Sequence, residues 1–352
     1  MGRVDIVDAV NHRWFWVALI AALLVRIPAI TSLPIDWDEP IYMDAALAMS
    51  DGVRAGDWAA VLDPTLNREH PGLVKGLYGL GFFGLGPDPD LVERLAVVRG
   101  LSLLAGLGMV LLAVQVHPAA GIAVAVHTLH AKYTCEGYLD AWPALWMSMA
   151  MMLGWRNRHE FRLRGIVLVG LCWGAAIAGK WIHGVPGIVL IVVLPGWRSR
   201  VSLAVVALLS AWALDPTMWL DPLGRFMEMA QFHQTYSATV PDSSALTPWI
   251  TLAGGGPAVW HPDVFPVTVD GALLVFGLMG LGAGLRSPWG RFLAAWFVIP
   301  MAVLMLWETR WPQHLMVLLM PLCMAIAAVI RPLSSRANRH SSPNGSHPPT
   351  SE

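Results

Sequence analysis

The sequence predicts an all-α, polytopic integral membrane protein. Of its 352 residues, 56% are apolar and only 13% are charged, whereas about a quarter of the residues in a typical soluble domain are charged. Apolar runs of the kind that span a bilayer recur along the chain. Many of the 18 tryptophans stand near the ends of these runs, as in an interfacial aromatic belt. The net charge of -1 excludes the broad basic surface that a nucleic acid requires.

Eleven apolar runs are candidate membrane helices, and several are short for a perpendicular span: 14–33, 71–85, 91–114, 118–129, 141–155, 165–179, 185–194, 201–214, 267–285, 292–307 and 312–330. The first run has the position of a signal peptide. However, it is long, Asp5 and Asp8 precede it, and no convincing small-residue cleavage site follows. We interpret it as a retained first helix.

The distribution of arginines indicates which runs cross the membrane. If Arg3 and Arg13 are cytoplasmic and all eleven runs cross, the basic block 156–164 and every later arginine group fall outside, against the positive-inside rule. Removing one earlier run moves all of them inside. The run 71–85 is short, rich in glycine and carries Lys75, so we predict that it lies at the outer interface. About ten crossings then remain, although a different short run is an alternative candidate for removal.

This topology predicts a single membrane domain, 14–331, between a cytoplasmic N-terminal segment, 1–13, and a cytoplasmic tail, 332–352. The tail is rich in Ser, Pro, Asn and His and is expected to be disordered. The outer segments are 34–90, 132–140, 215–266 and 308–314. The three cysteines are scattered without metal-type spacing, and we predict no disulfide.

Three acidic residues, Asp36, Asp38 and Glu39, stand directly after the first run. One of them is expected to cap an amphipathic helix that starts near Pro40. Capping does not explain three carboxylates in four positions beside a bilayer. A carboxylate in a partly dry site, kept ionised by nearby cations, is suited to act as a general base.

The same outer segment carries Glu69, His70 and Lys75. If a helix begins at Pro71, Lys75 lies about one turn inside it. A lysine there either extends to lipid headgroups or binds a lipid-linked phosphate as a point charge. Both interpretations stay open from the residues alone.

Other outer segments add charges on the same side. The turn 132–140 holds Glu136 and Asp140, which are either ordinary loop residues or a second acidic site. Cations stand at outer helix ends, where each needs a partner: Arg94, Arg99, Lys180, Arg310 and His314. The segment that begins at Asp215 includes His233, to which we assign substrate contact rather than catalysis. Together these residues describe a site for an anionic group and a base.

At these residues the chain resembles the GT-C membrane glycosyltransferases, especially the group of protein O-mannosyltransferases and lipid A aminoarabinose transferases (glycosyltransferase family 39-like). Asp38-Glu39 is similar to the Asp-Glu motif of that family's first outer loop. Residues 70–75, His-Pro-Gly-Leu-Val-Lys, resemble its His-Pro-Pro-Leu-x-Lys pattern, with Gly72 in place of the second proline. Further counterparts are Asp140, 98–102, 179–180 and 215–222.

The resemblance implies a GT-C-like bundle with outer juxtamembrane helices and an inverting transfer of a sugar from a polyprenyl-phosphate donor to an acceptor hydroxyl. It assigns the catalytic base to Asp38, beside Glu39. The leaving phosphate would be neutralised by Lys75, Lys180, Arg99 and Arg310. The substrate or second acidic site would comprise Glu69, His70, Glu136, Asp140 and His233.

The implied partners are the donor lipid, a protein or glycolipid acceptor, and membrane lipids. No cofactor is assigned, and a divalent metal near the carboxylates is left open. The expected location is the cell membrane, with the active site on its outer face and both termini cytoplasmic.

Two other classes compete with an enzyme. A transporter or lipid flippase usually binds its substrate near the bilayer midplane, on broken helices and often within inverted repeats. The charges here stand at outer helix ends, and the sequence has no evident repeat. A non-catalytic membrane subunit is the other alternative, and it would tolerate loss of Asp38.

The topology is tested by labelling single cysteines introduced into each loop. The block 156–164 and the tail are expected to react only from the cytoplasmic side, and positions 38 and 140 only from outside. Labelling of 156–164 from outside would contradict the ten-crossing arrangement.

Overall fold

A computed structural model of the protein describes residues 12–63, 66–86, 88–159, 162–239, 244–307 and 309–330. Within these ranges the chain is helical and contains no strand. The predicted disordered tail, 332–352, lies outside the described residues, as does the N-terminal segment up to residue 11. Glu160 and Phe161 of the basic block and Glu308 of the last outer segment also lie outside them.

The first half of the described chain forms nine α-helices: α1 His12–Ser32, α2 Asp38–Ala55, α3 Trp58–Leu62, α4 Leu73–Phe82, α5 Leu91–Val114, α6 Pro118–Val126, α7 Thr128–Tyr133, α8 Ala141–Asn157 and α9 Leu163–Gly179. The second half of the described chain forms eight: α10 Gly187–Val193, α11 Trp197–Leu214, α12 Pro222–Thr239, α13 Thr247–Ile250, α14 Pro257–Trp260, α15 Asp270–Gly284, α16 Pro288–Leu306 and α17 Met316–Ala325. Short 3₁₀ turns occupy Trp181–Gly184, Pro216–Met218 and Pro312–Leu315, and a π-helical turn occupies Thr251–Gly255.

The predicted all-α membrane architecture is confirmed, because each of the eleven apolar runs contains a helix. Five segments are long and apolar enough to cross a membrane: Arg13–Ser32, Leu91–Val114, Trp197–Leu214, Pro288–Leu306 and Pro312–Ile330. The other predicted crossings are shorter, so the total of ten stays a prediction. The run 118–129 is split into α6 and α7, because His127 adopts an extended conformation between them.

Helix α4 is the run that we excluded from the crossings. Its ten residues measure about 15 Å, half of the roughly 30 Å hydrocarbon thickness. It packs on α2, where a Cβ at Gly79 would lie 2.8 Å from the carbonyl oxygen of Ala46. The glycine permits this close approach. The predicted amphipathic helix is present as α2, which packs Tyr42 and Met43 into the core.

Helix α17 forms the centre of the bundle, and all ten of its residues are buried. It packs against α6, α15 and α16, while α5 packs against α1, α6 and α8, and α9 lies between α8 and α11. This arrangement brings several helix ends and turns to one end of the bundle. The polar residues of the predicted outer segments lie on these ends.

Candidate functional site

A buried ion pair joins two of the helix ends. Glu39, at the start of α2, is fully buried and forms a bidentate pair with Arg99 of α5, with Nε–Oε1 and Nη2–Oε2 distances of 2.9 and 2.7 Å. The Glu39 carboxylate also accepts hydrogen bonds from the backbone N–H groups of Asp36 (3.0 Å) and Gly137 (2.7 Å). The pair therefore holds the first acidic loop against the turn 134–140.

Arg99 has no N–H group left for a ligand. Besides Glu39, its guanidinium donates to the carbonyl oxygens of Ile30, Leu33 and Pro34 at 2.9 to 3.1 Å. A guanidinium has five N–H donors, and these contacts occupy all of them. The phosphate contact predicted for Arg99 therefore differs from the contacts that it makes in this structure. Glu39, whose carboxylate accepts four hydrogen bonds, is placed to hold these segments together rather than to accept a proton.

Lys132 lies between two carboxylates. Its ammonium donates to Asp36 at 2.7 Å and to Glu136 at 2.6 Å, and Asp36 also accepts from the hydroxyl of Tyr138 at 2.7 Å. Although burial opposes it, the Lys132 charge holds the pKa of Asp36 below its usual value. Burial raises the pKa of Glu136 to about 8 despite Lys132. Near neutral pH, Asp36 is therefore the charged partner and Glu136 is largely protonated.

Asp140 is the third paired carboxylate, and it is fully buried. It accepts from Lys180 at 2.7 Å and lies 3.0 Å from Nε2 of His183. Burial alone would raise the pKa of Asp140, but Lys180 and His183 hold it well below its usual range. Lys180, which follows α9, is thus anchored beside α8 with one of its three N–H donors in use.

Asp38 is the least constrained of these carboxylates. It begins α2, is half-buried, and accepts one side-chain hydrogen bond, at 3.3 Å from the hydroxyl of Tyr42. Burial raises the pKa of Asp38 above 3.8, and the Lys180 charge opposes this shift. The arrangement combines a raised basicity with an accessible carboxylate, as a general base requires.

Lys75 holds the loop before α4. Its ammonium is fully buried and donates to the carbonyl oxygens of Asn67 and His70 at 2.7 and 2.8 Å. Burial lowers the pKa of Lys75 to about 8. The contacts fix the backbone conformation of 67–70, and they place the ammonium inside the loop rather than toward lipid headgroups.

Gly72 links this loop to α11. Its N–H donates to the carboxylate of Asp215 at 3.0 Å, and the same carboxylate accepts from the N–H and the hydroxyl of Thr217. A Cβ at Gly72 would lie 2.7 Å from Thr217 and 2.8 Å from Asp215. The similar motif has proline at this position; here proline would lose the donor and clash.

Helix α12 lies within the predicted long outer segment, 215–266, and it carries His233. The His233 ring is 5.8 Å from the ring of His70 and 5.6 Å from that of Trp181. Burial, followed by the Lys180 charge, holds the pKa of both histidines below 6.5, so the rings are neutral near pH 7.

A partly exposed ion pair joins α12 to the loop before α4. Glu228 pairs with Arg68 of this loop at 2.7 Å and with Arg225 of its own helix at 2.5 Å, and Arg225 donates to the carbonyl oxygen of Arg68 at 3.1 Å. Glu69, predicted as a site residue, is partly buried and accepts from the amide of Asn67 at 2.7 Å.

An apolar cavity of about 590 Å³ opens beside this cluster. Its walls come from α9, α11, α12 and the end of α16, and they include Leu208, Trp212, Phe226, Met229 and Trp307. Pro71, Trp181, Asp215 and His233 line its polar end. The cavity therefore leads from apolar helix surfaces to the neighbourhood of Lys180.

The remaining predicted cation, Arg310, lies in the last predicted outer segment. Arg310 is half-buried and donates to the carbonyl oxygen of Met305 at 3.0 Å. Nearby His314 is buried. The structure thus brings the predicted site residues to one end of the bundle, with Arg99 and Lys75 turned to backbone carbonyls.

Sequence reasoning did not identify several participating residues. His183 stands three positions after Lys180, a helical spacing that indicates a shared face. Tyr42 stands four positions after Asp38, which is the same kind of signal.

A second polar group lies deeper, around the break between α6 and α7. Arg26 contacts His130, and Asp270 accepts from the N–H and the hydroxyl of Thr128 and lies 3.4 Å from His127. No sequence motif indicated this group.

The sequence alone did not decide whether a divalent metal binds near the carboxylates. Among the residues that the structure describes, no three His, Cys, Asp or Glu side chains are grouped so that they could hold a metal ion. Four of the carboxylates are instead paired with arginine or lysine: Glu39, Asp36, Glu136 and Asp140.

Comparison with known proteins identifies the fold. No family model and no curated protein sequence matches the chain. Among solved structures, it is similar to ArnT from Cupriavidus metallidurans bound to undecaprenyl phosphate, with a TM-score of 0.60 and 18% identity over 91% of this chain and 61% of ArnT. For apo ArnT the TM-score is 0.61, with 17% identity over 94% and 62% of the chains.

A second similar structure is the archaeal oligosaccharyltransferase AglB from Archaeoglobus fulgidus, in complex with an inhibitory peptide and a dolichol-phosphate. Its TM-score is 0.55, with 12% identity over 95% of this chain and 52% of AglB. ArnT and AglB are both GT-C glycosyltransferases. The chain spans less than two thirds of the length of either. It has the GT-C fold, as its motifs predicted.

The Glu39–Arg99 pair generates a prediction on stability. Glu39→Gln keeps the side-chain shape but leaves the Arg99 charge buried without a counterion. Removing one partner of a buried pair costs about 3 to 5 kcal/mol, so the free energy of unfolding in detergent micelles should fall by this amount.

The matched control is Asp44→Asn. Asp44 also joins α2 to α5, through Arg94 at 2.7 Å, but its side chain is 55% exposed. Exposed pairs contribute at most about 1 kcal/mol. Equal losses in the two variants would show that Glu39 does not stabilise the site.

Proposed function

We propose that this protein is a membrane glycosyltransferase that transfers a sugar from a polyprenyl-phosphate donor to an acceptor hydroxyl. The observation that carries the proposal is the juxtaposition of two features. An apolar cavity of about 590 Å³ ends beside a polar cluster in which Lys180 is anchored and the Asp38 carboxylate is accessible. A donor with a long apolar tail and a charged, reactive head needs an apolar cavity next to a polar cluster.

The cavity is the proposed site of the prenyl chain next to the phosphate. Its apolar walls, among them Leu208 and Phe226, match an isoprenoid, and its polar end at Trp181 and His233 adjoins Lys180. The fold supports this class of donor, because the similar ArnT structure contains undecaprenyl phosphate and the similar AglB structure contains a dolichol-phosphate.

Lys180 is the best-placed residue for the leaving phosphate. Asp140 and His183 hold its ammonium in position, and its charge lowers the pKa of both His70 and His233. Such a preorganised cation stabilises negative charge that develops as the donor bond breaks. Arg310 is proposed to assist from the opposite side. Lys75 and Arg99 are proposed to act indirectly, by fixing the loops that carry His70 and Asp38.

The reaction is a single displacement. The acceptor hydroxyl gives its proton to Asp38 while its oxygen forms a bond to the anomeric carbon. The bond from that carbon to the phosphate oxygen breaks, and the electron pair leaves with the polyprenyl phosphate. Attack opposite the leaving group inverts the anomeric configuration. Glu69, Glu136 and the remaining site residues are proposed to shape the substrate pocket.

The proposed setting is the outer face of the cell membrane, with both termini cytoplasmic. A protein or a glycolipid is the proposed acceptor. A transport function has one observation in its favour, because α6 and α7 form a broken helix with Arg26 and Asp270 buried around it. Broken helices with buried charges are typical of transporter sites. The variants below distinguish the two functions.

Asp38→Asn tests the catalytic base. Asparagine keeps the shape and can still lie at a helix start, but it cannot accept the proton. Transfer in a donor–acceptor assay should slow by about two to four orders of magnitude, with donor binding and thermal stability largely retained.

Asp36→Asn is the matched control and is expected to cost much less activity. The wild type should lose activity as the pH falls through the pKa of Asp38, which burial raises above 3.8, because the base must be deprotonated. Asp38→Asn should lack this dependence. Near-normal turnover by Asp38→Asn would rule out the role of base, whereas loss of folding together with activity would favour a role for Asp38 in capping α2.

Lys75→Ala tests the loop that adjoins the donor. Without the two bonds to Asn67 and His70, the loop loses its fixed conformation, and donor affinity should fall while the protein remains inserted and folded. Binding of a polyprenyl-phosphate analogue is the measurement. An unchanged affinity would mean that the loop conformation held by Lys75 does not contribute to donor binding.

A further inference from the structure

A second cavity lies at the opposite end of the bundle. Helix α8 begins next to Asp140 and runs for 17 residues, or about 25 Å, before Arg158. Helix α16 runs back from this end toward Trp307 and the proposed donor site. Between α8, α10 and the start of α16 is a cavity of about 360 Å³. It is separate from the cavity of the proposed reaction, and no step of that reaction uses it.

The cavity is apolar apart from two arginines. Its other lining residues are aliphatic or aromatic and include Val189, Val192, Val193, Phe292, Ala295 and Ile299. Val192 is 66% exposed, so the aliphatic wall continues onto the outer surface of the bundle. An apolar wall open to the bundle surface, in a membrane protein, adjoins lipid chains.

Arg158 is held in place over the cavity by an aromatic side chain. Its guanidinium stacks on Trp155, with 3.7 Å from Cζ to the ring centroid, and donates one hydrogen bond to the carbonyl oxygen of the same residue. Trp155 in turn packs on Trp289 and Phe292, at centroid distances of 5.1 and 4.9 Å. A guanidinium has five N–H donors, so this geometry fixes the charge while leaving most of its donors unused.

Arg291 lies on the other side of the cavity, in the first turn of α16. Neither arginine forms an ion pair with a carboxylate among the residues that the structure describes. Two cations without a counterion therefore flank one apolar cavity. Charge complementarity requires an anion, and the apolar lining requires that the anion carry a hydrocarbon chain.

We propose that this cavity binds an anionic phospholipid, with the phosphate between Arg158 and Arg291 and part of one acyl chain against the valines of α10. Arginine donors suit phosphate oxygens because their fork geometry permits two parallel bonds. The proposal assigns a lipid to the end that the arginine distribution places in the cytoplasmic leaflet, where anionic lipids concentrate and attract basic side chains. It does not depend on the proposed reaction.

The test uses the full chain in nanodiscs of phosphatidylcholine with a small fraction of phosphatidylglycerol. Native mass spectrometry counts the phosphatidylglycerol that remains bound, and the melting temperature is recorded as phosphatidylglycerol is added. Arg158→Gln with Arg291→Gln should weaken retention about tenfold to a hundredfold, as expected for the loss of charge-assisted hydrogen bonds. Arg291 is exposed and Arg158 is half-buried, and neither is part of the buried core, so the variant should fold.

The matched control is Arg156→Gln with Arg286→Gln. Arg156 and Arg286 are exposed and stand close in sequence to Arg158 and Arg291, but neither of them lines the cavity. It should retain the lipid. Ala295→Phe keeps both charges but fills the apolar part, and it should also lose the lipid.

Three outcomes would overturn the proposal. One is equal loss of phosphatidylglycerol in the matched control, which would indicate general surface attraction. Another is retention by the Arg158 and Arg291 variant. The third is an equal shift of the melting temperature by glycerol phosphate, together with unchanged retention by Ala295→Phe, which would indicate a site for free anions instead of a lipid.

Discussion

The cost of burying charge organises the predicted outer end of this protein. In a partly dry environment each charged group needs an opposite charge and a complete set of hydrogen bonds. Arg99 meets this requirement through Glu39 and three carbonyl oxygens, and Asp140 meets it through Lys180 and His183. These pairs join segments that are far apart in the chain. The geometry of the candidate site therefore follows from how the charges are neutralised.

The same environment gives similar side chains different chemistry. Asp36 and Asp140 have cations in direct contact, which hold their pKa values low despite burial. Asp38 and Glu136 have raised pKa values, because burial outweighs the nearby cations. Of the two, Glu136 is fully enclosed, and Asp38 is accessible. Among these four carboxylates, Asp38 alone combines accessibility with an enhanced affinity for a proton.

The sequence predicted the helices well, and it indicated which polar residues gather at one end of the bundle. Apolar runs determine helices because a backbone in lipid must satisfy its own hydrogen bonds, and the order of Asp38, His70 and Asp140 was sufficient to indicate the fold. Pairing was not predictable in this way. Glu39 and Arg99 are 60 positions apart, and local sequence contains no information on which carboxylate meets which cation.

Two other features were also beyond local sequence. The break at His127 depends on the distant Asp270, whose carboxylate accepts the N–H of Thr128 next to the break. The two apolar cavities are enclosed by helices from separate parts of the chain, so local sequence does not indicate that they form. Lys75 shows the same effect, since its carbonyl partners are supplied by a loop conformation.

The walls of the larger cavity differ greatly in strength. On one side α9 and α11 pack along their length, whereas α12 is tied to the loop before α4 by the partly exposed ion pair of Glu228 with Arg68 and by a hydrogen bond from Arg225 to the carbonyl oxygen of Arg68. Such pairs contribute about 1 kcal/mol or less each, and α12 presents Leu223 and Met227 outward. Opening of this wall would therefore require few strong contacts to break. A molecule with a long hydrocarbon tail can then pass sideways between bilayer and cavity, so that its tail never has to be drawn through water.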